Sequence, residues 1–302
     1  MDDLYELFDM QEAPEEAALT PFDMDEYKAR KQAERDEVYG LIETSTEKMQ
    51  NSGELFQDYL DVQARLDRYS VSNAILIAAQ KPDATGPLKS FDEWKAEGVY
   101  VQKGERAMSI LEPGREYQKD DGSVRVSYNV KKVFDVTQTN GRQRSTPTVT
   151  RDERLLLKAL ISRTHAPCDM RPSDNVPENM NAIYRPEDRT IYVRTGLDGP
   201  SIFRALAQEL AHAHMDKGDG YLRNENNNAA YYASYILCKR YGVSTDLYRF
   251  DAIPSRYTNM EPKAFRAEMS KIRDVAGQIS RDMNRVLETQ ERTKKERSGD
   301  AR

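Results

Sequence analysis

The sequence predicts an α+β protein with two structured parts, an acidic N-terminal tail and a long C-terminal helix. Apolar residues recur at intervals of three and four in several segments, which is the period of an amphipathic helix. In two other regions apolar and polar residues alternate, which is the period of a half-buried strand. A stretch with neither period, residues 139–150, separates the two parts and predicts a linker at residues 141–150.

The composition is typical of a globular protein with a polar surface. The chain has 302 residues, of which 38% are hydrophobic and 32% charged, and this length suggests about two domains. The longest apolar run, near Ala74 to Ala79, is far shorter than the ~20 residues that a bilayer needs, so no membrane partner is expected. The acidic start does not resemble a signal peptide. Two cysteines, Cys168 and Cys238, suit a reducing compartment, and we expect a cytoplasmic protein.

Charge is distributed unevenly along the chain. Residues 1–37 hold 13 Asp or Glu against 4 Lys or Arg, whereas the remainder has a net charge of +3. We expect residues 1–37 to form a flexible tail or a solvated helix. Between Ala64 and Pro147 there are 14 basic and 11 acidic residues. This small excess does not by itself predict binding to nucleic acid.

The first structured part, residues 38–140, begins with helices and continues with strands. Helical periodicity runs over residues 38–66, and Ser72 is the expected N-cap of the next helix. A short polar helix follows at residues 91–97. Three strands are then predicted from the segments VYVQKG, MSILEP and VSYNVKKVFDV.

The second structured part, residues 151–260, again mixes helices and strands. A helix is predicted at residues 151–163, and NAIYRPEDRTIYVR is typical of a hairpin that turns at Pro186 and Glu187. The segment SIFRALAQELAHAHM predicts a strong helix with Ser201 as its N-cap.

Two further helices complete the prediction. One covers residues 227–241. Residues 261–302 form the C-terminal region, in which Pro262 opens a long amphipathic helix with a frayed end.

A metal-like motif lies on the helix that begins near Ser201. Gln208-Glu209-Leu210-Ala211-His212 has the spacing of the HExxH helix of zinc proteases, with glutamine in place of the first histidine. In such a helix two imidazoles four residues apart bind one zinc ion, and the glutamate activates water. A glutamine amide oxygen binds zinc much more weakly than a neutral imidazole does, so we expect a severe loss of zinc affinity.

Helical geometry separates the polar residues of this segment from its apolar side. The residues expected to share the apolar side are Phe203, Leu206, Ala207, Leu210 and His214. Gln208, Glu209 and His212 are expected to project elsewhere. His214 is therefore interpreted as structural, whereas His212 either lines a cleft or is an ordinary structural or solvated residue.

A third zinc ligand is not evident in the sequence. The only carboxylate of the segment RNENNNAAYYASYILCKRYG is Glu225, which precedes its apolar part. His165, Cys168 and Cys238 lack a recognised ligand spacing. We expect no cofactor. If zinc is retained, His212 is one ligand within an unusual set and Glu209 is the general base.

Five short motifs occur in order in the first part. They are Ser72-Asn73-Ala74-Ile75-Leu76, Phe91-Asp92-Glu93-Trp94, Val101-Gln102-Lys103-Gly104-Glu105, Tyr128-Asn129-Val130 and Val133-Phe134-Asp135-Val136-Thr137-Gln138-Thr139. In this order they resemble the ArdC-type antirestriction proteins of plasmids, phages and conjugative elements. The resemblance covers about residues 50–250. It implies an N-terminal single-stranded-DNA-binding domain followed by a zincin-like metallopeptidase domain.

The resemblance is incomplete at the metal helix. The family's metal motif is matched at Glu209 and His212 only, and its third-ligand carboxylate has no clear counterpart near Ala230 or Tyr231. What the resemblance implies is therefore a degenerate zincin-like domain, because a scaffold can persist after its site has decayed.

Single-strand binding requires cations that follow phosphates and aromatic faces that stack on bases. The candidate residues are Arg65, Arg68, Lys103, Arg106, Tyr128, Lys131 and Lys132. Trp94 and Phe134 are interpreted as core residues. The cations also fit an ordinary solvated surface, and the sequence leaves both interpretations open.

The leading hypothesis is a non-catalytic counter-defence protein of a phage, plasmid or conjugative element. Its expected partners are single-stranded DNA and a host defence nuclease or CRISPR effector. One alternative is an active zinc metallopeptidase that uses Glu209 and His212. The other is a protein-binding inhibitor whose acidic tail mimics DNA. The oligomeric state is not predicted.

Overall fold

The protein is described by a computed structural model that covers residues 23–119, 121–141, 152–162, 168–218 and 220–299. It has an α+β architecture. The helices are α1 (Met24–Gln50), α2 (Gly53–Arg65), α3 (Val71–Gln80), α4 (Phe91–Ala96), α5 (Glu153–Ile161), α6 (Gly199–Met215), α7 (Arg223–Tyr241), α8 (Ser255–Thr258) and α9 (Pro262–Gly299). The strands are β1 (Leu88–Lys89), β2 (Met108–Gln118), β3 (Val124–Asp135), β4 (Asp169–Pro172), β5 (Ala182–Arg185) and β6 (Thr190–Val193).

The chain divides into a unit that ends at Glu37 and a unit that begins at Val38. The described part of the first unit is helical from Met24, and Asp25 and Glu26 lie in its first turn, where the helix dipole favours negative charge. Residues 1–22 lie outside the described residues. The flexible tail and its DNA mimicry therefore stay predictions.

The first sheet of the second unit has three antiparallel strands in the order β1-β3-β2. The predicted strands MSILEP and VSYNVKKVFDV are confirmed as parts of β2 and β3, which form a long hairpin. The predicted strand VYVQKG is wrong, because Val101 forms only an isolated bridge with Thr139. The turn at Gly104, which has a φ of 94°, ends the pairing at this point.

Helix α3 covers the outer edge of β2 with two side-chain amides. Asn73 donates to the carbonyl oxygen of Leu111 and accepts from its N–H, both at 2.8 Å. Gln80 makes the same pair of bonds to Ser109, at 3.0 and 2.8 Å. The two amides thus replace a neighbouring strand, and they satisfy an edge that would otherwise be open to pairing.

Two predicted helix starts are wrong by a few residues. Ser70, not Ser72, caps α3, and its hydroxyl accepts from the N–H of Asn73. Asp198, not Ser201, caps α6, with Ser201 N–H as the donor at 2.7 Å. In both cases a polar residue just upstream binds a free N–H group of the first turn, so the helix begins earlier.

The second sheet has the order β4-β6-β5, with β4 parallel and β5 antiparallel to β6. The predicted hairpin is confirmed as β5 and β6. The predicted helix at residues 227–241 begins earlier, at Arg223, and ends as expected before Gly242. Pro262 opens α9 as predicted. Among the described residues, no helix is both long and apolar enough to cross a bilayer.

Helices from both sides of the predicted linker share one core. Phe56 of α2 packs edge-on against Tyr232 of α7, with the ring centroids 4.7 Å apart. The side chain of Gln50 donates to the carbonyl oxygens of Tyr257 and Met260 at 2.7 and 2.8 Å. Residues 142–151 lie outside the described residues, and the predicted boundaries of the domains stay predictions.

Candidate functional site

The candidate DNA-binding residues are distributed between a cleft and the β2-β3 hairpin. The cleft has a volume of about 540 Å³ and lies between the loop after α3 and the turn that contains Gly104. Arg106 lines it together with Lys81 and Glu105, and Lys103 immediately precedes Gly104. The structure therefore brings part of the candidate set to one place.

Three of the candidate cations are available to a ligand. Arg68, Lys103 and Arg106 are exposed, and within the described ranges their side chains make no hydrogen bond or ion pair. Such side chains can approach a phosphate without first breaking an internal contact.

The other candidate cations have internal partners. Arg65 donates to the carbonyl oxygens of Pro82 and Ala84 and so holds the loop beside the cleft. Lys131 pairs with Glu93 at 2.9 Å and with Glu112 at 3.2 Å. Two acidic neighbours neutralise this lysine, which makes it a weaker candidate for a phosphate contact than the sequence suggests.

Lys132 and the aromatic candidates lie along β3 or beside it. Lys132 donates to the Ser109 hydroxyl at 2.7 Å. Tyr128 is 42% exposed on the hairpin and is open to stacking. The prediction that Trp94 is a core residue is confirmed, since it is buried and donates to the carbonyl oxygen of Phe134 at 3.0 Å. Phe134 itself is half-buried.

Glu209, the glutamate of the metal-like motif, accepts three hydrogen bonds from two residues. It is 2% exposed. Its Oε2 accepts from the backbone N–H of Tyr184 at 2.6 Å and from Arg223 at 2.8 Å, and its Oε1 accepts from Arg223 at 2.7 Å. This two-pronged pairing of guanidinium and carboxylate is the strong form of an ion pair.

His212 is fully buried on the same helix. Its Nδ1 lies 2.5 Å from the hydroxyl of Tyr221. Its Nε2 is buried without a hydrogen-bond partner among the described residues. Burial, and then the positive charges of Arg223 and Lys271, lower the pKa of His212 to about 3. The imidazole is therefore neutral at pH 7.

The expectation that Glu209 and His212 project away from the core is wrong. Helix α6 packs against α5, α7, α9, β5 and β6, so the side that carries these two residues is also covered. Gln208 is only half-buried and lines a cleft of about 230 Å³ with Asn181 and Arg204, and Glu209 lies in the wall of the same cleft although it is buried. His214 is half-buried beside Leu210 and Met283, as its structural interpretation requires.

The residues around this motif do not fit a catalytic zinc ion, which takes three protein ligands. Within the described part of the motif, Nε2 of His212 is a buried nitrogen without a hydrogen-bond partner and could serve as one metal ligand. Arg223 already holds both oxygens of Glu209. Throughout the described ranges, no group of three His, Cys, Asp or Glu side chains is arranged to bind an ion.

Those of the other sequence candidates for a third ligand that the structure describes do not complete the set. Cys168 and Cys238 are buried thiols, and burial raises the pKa of Cys238 to about 11. Glu225 is exposed. His165 lies outside the described residues.

The sequence did not indicate the residues that hold Glu209 and His212. Tyr184 belongs to the edge strand β5, and its hydroxyl donates to Asp216 at 2.8 Å. Tyr221 and Arg223 come from the loop before α7 and from its first residue. A buried glutamate requires a cation nearby, but the sequence does not indicate which arginine or lysine supplies that cation.

We expect His212 to make stability depend on pH. The unfolded chain takes up a proton near pH 6.5, whereas the folded protein does so only near its pKa of about 3. The contribution of the neutral His212 to the free energy of unfolding is complete above pH 6.5 and decreases as the pH falls towards 3. The free energy of unfolding should lose about 2 kcal/mol from this group between pH 7.5 and 5. Urea unfolding of wild type and His212→Gln at both pH values measures it. The same stability difference between the two proteins at both values would contradict it.

Comparison with known proteins finds one matching domain family and two similar crystal structures. Residues 33–153 match the model of the N-terminal domain of anti-restriction factor ArdC. The metal-free crystal structure of the antirestriction ArdC protein from plasmid R388 is similar with a TM-score of 0.50 and 17% identity, and the match covers 72% of this chain and 86% of that one. The Mn(II)-bound structure gives a TM-score of 0.45 and 18% identity, over 73% and 84%. No curated protein matches the sequence.

The two findings agree with the order of motifs in the first part of the chain. The matched domain contains the cleft, the β2-β3 hairpin and the amide-covered edge of β2. The R388 structure shares the fold over most of both chains. Residues 33–153 therefore correspond to an ArdC-type N-terminal domain, and the chain as a whole is similar in fold to the R388 antirestriction protein.

Proposed function

We propose that the chain is a non-catalytic antirestriction protein of a mobile genetic element, which binds single-stranded DNA in the cytoplasm. The observation that carries this proposal is the match of residues 33–153 to the N-terminal domain of anti-restriction factor ArdC. The structurally similar R388 protein is a plasmid antirestriction protein.

The available cations of the matched domain support DNA binding. Lys103 and Arg106 lie at the turn beside the larger cleft, and both are exposed without internal partners in the described part of the chain. Tyr128 offers an exposed ring on the hairpin. Binding of this kind is electrostatic and stacking-based, so it requires no particular sequence.

The contacts of Glu209 support a non-catalytic role for the second part, which we interpret as a degenerate zincin-like scaffold. A general base must reach the proton that it removes. Here the carboxylate accepts from Arg223 and from the N–H of Tyr184. Gln208 stands where the motif requires an imidazole. These features favour a binding protein over the metallopeptidase alternative.

Substituting Lys103 and Arg106, the two available cations at the turn beside the larger cleft, tests the DNA-binding proposal. We expect Lys103→Ala/Arg106→Ala to weaken binding of a fluorescent single strand about tenfold at low salt, and to reduce the slope of log K against log salt by about 1.4, because two phosphate contacts are lost. Fluorescence anisotropy over a salt series measures both quantities.

The matched control removes two positive charges that lie outside the matched domain. Arg249 and Lys263 are exposed, and the Arg249→Ala/Lys263→Ala variant should keep the slope of wild type. Equal slopes for the two double variants would contradict the assignment of the surface. Wild-type protein that fails to bind single strands at low salt would contradict DNA binding itself.

Antirestriction is tested separately in cells. Expression of the chain should raise the transfer of unmodified plasmid DNA into a restricting host, and the Glu209→Gln variant should protect equally well because no catalysis is involved. Transfer that is no higher with the chain than without it would contradict the proposal. So would a loss of protection in a Glu209→Gln variant that folds normally.

A further inference from the structure

Glu209 and His212, the two residues that match the metal motif, are both bound by the three-residue segment Tyr221–Arg223. Arg223 pairs with Glu209, and the hydroxyl of Tyr221 lies against Nδ1 of His212. We propose that the segment Tyr221–Arg223 replaces a metal ion in this fold, so that a built-in cation joins helix α6 to the start of α7. This inference does not depend on DNA binding.

The geometry at Glu209 requires a permanent cation. The carboxylate is buried, and a buried charge is stable only when it is paired and hydrogen-bonded. Arg223 supplies both bonds of a planar fork, with donor-to-acceptor distances of 2.8 and 2.7 Å. Lysine offers no such fork, and a divalent ion would have to displace the guanidinium to reach the same oxygens.

The surroundings of His212 disfavour a second cation. The charges of Arg223 and Lys271 act on the imidazole and, after burial, are the causes that lower its pKa. Lys271 is itself held by Asn226 at 2.5 Å and lies 3.8 Å from Glu268. Glu209 is already neutralised by Arg223. A divalent ion would therefore enter a buried region that already holds the positive charges of Arg223 and Lys271.

The segment also connects the helices to the edge of the second sheet. Tyr184 of β5 donates its N–H to Glu209 and its hydroxyl to Asp216. The ring of Tyr184 packs edge-on against that of Tyr221, with the centroids 6.4 Å apart. One buried ion pair thus fixes β5, α6 and the first residue of α7 to one another, which is the structural role that a metal ion would otherwise have.

Thermal unfolding of the full chain with EDTA, Zn(II) or Mn(II) tests the replacement. The Tm of wild type should be the same under all three conditions. A site with a Kd of 10 µM would raise the Tm by roughly 5 °C at 1 mM ion, because the ion binds only the folded state. A rise of this size that disappears in His212→Ala would overturn the proposal.

Variants of the ion pair test the role of Arg223. Arg223→Met leaves Glu209 buried and unpaired, and should lower the Tm by roughly 8 °C. Glu209→Gln/Arg223→Met should recover at least half of this loss, since a neutral amide needs no cation and still accepts from Tyr184. If Arg223→Met does not fold, the Tm of the double variant still tests the proposal, because we expect the double variant to fold.

The matched control is Arg273→Met, which breaks an exposed ion pair with Asp274 and should shift the Tm by about 1 °C or less. An Arg223→Met variant as stable as this control, or a double variant no more stable than the single one, would contradict the proposal. Anisotropy on the same preparations reports DNA binding independently, so failure of this inference and failure of the proposed function are distinguishable.

Discussion

Replacing Asp135 with alanine is expected to lower the free energy of unfolding by about 4 kcal/mol. Asp135 is fully buried at the end of β3. Its carboxylate accepts from the N–H groups of Thr85, Gly86 and Thr137 at 3.1, 2.5 and 3.1 Å, and from the Thr137 hydroxyl at 2.6 Å. A buried donor left without a partner costs about 1–3 kcal/mol, and these four donors to Asp135 are part-buried, so together they account for about 4 kcal/mol.

Urea unfolding of Asp135→Ala measures this loss. The control is Asp121→Ala, which removes an exposed carboxylate that accepts from Ser123 N–H at 2.8 Å and should cost less than about 1 kcal/mol. Asp135→Asn should lie between the two, because its amide oxygen still accepts but its NH2 group faces donors. If Asp135→Ala is no less stable than Asp121→Ala, the structural role of Asp135 is wrong.

Replacing Phe56 with alanine is expected to cost about 3–5 kcal/mol, which is usual for a fully buried aromatic residue. Its side chain is 0% exposed. It contacts a set of aromatic rings from α2, α7, α9 and the segment between α7 and α9, at centroid distances of 4.7 to 6.4 Å. These rings are Tyr59, Tyr232, Phe250, Tyr257 and Phe265.

The neighbouring Leu55 provides the control, because it is 42% exposed and Leu55→Ala should cost about 1 kcal/mol or less. Phe56 joins the matched N-terminal domain to helices of the second part. We therefore expect Phe56→Ala to shift the urea midpoint of the whole transition. A cost equal to that of Leu55→Ala, or a shift confined to one of two separate transitions, would contradict the shared core.

The sequence predicted well those features that depend on local patterns. The alternation in β3 and the apolar stripe of α9 gave the correct element types, because burial of one face imposes those periods. The starts of α3 and α6 were misplaced because several polar residues compete for the N-cap position. The motif that contains Asp135 was recognised from the sequence. The structural role of Asp135 was not, because its three backbone N–H donors come from a distant loop and an adjacent turn and meet only in the folded protein.

The candidate site was predictable only in part. The substitution at Gln208 is visible in the sequence, and it correctly drew attention to Glu209 and His212. The burial of both residues was not predictable from the helical wheel, because α6 is covered on more than one side. Arg223 is 14 positions from Glu209, and only the turn between α6 and α7 brings the two together. Similarly, the pairing of Lys131 with two glutamates requires the sheet register.

The proposed function requires that the chain binds single-stranded DNA without a metal ion. The most direct measurement is the anisotropy of a fluorescent single strand titrated with the full chain in EDTA, and then in excess Zn(II) or Mn(II). We predict salt-dependent binding in EDTA, and no tighter Kd in either ion, since a divalent ion only screens the phosphates. Absence of binding, or binding that requires the ion, would contradict the claim.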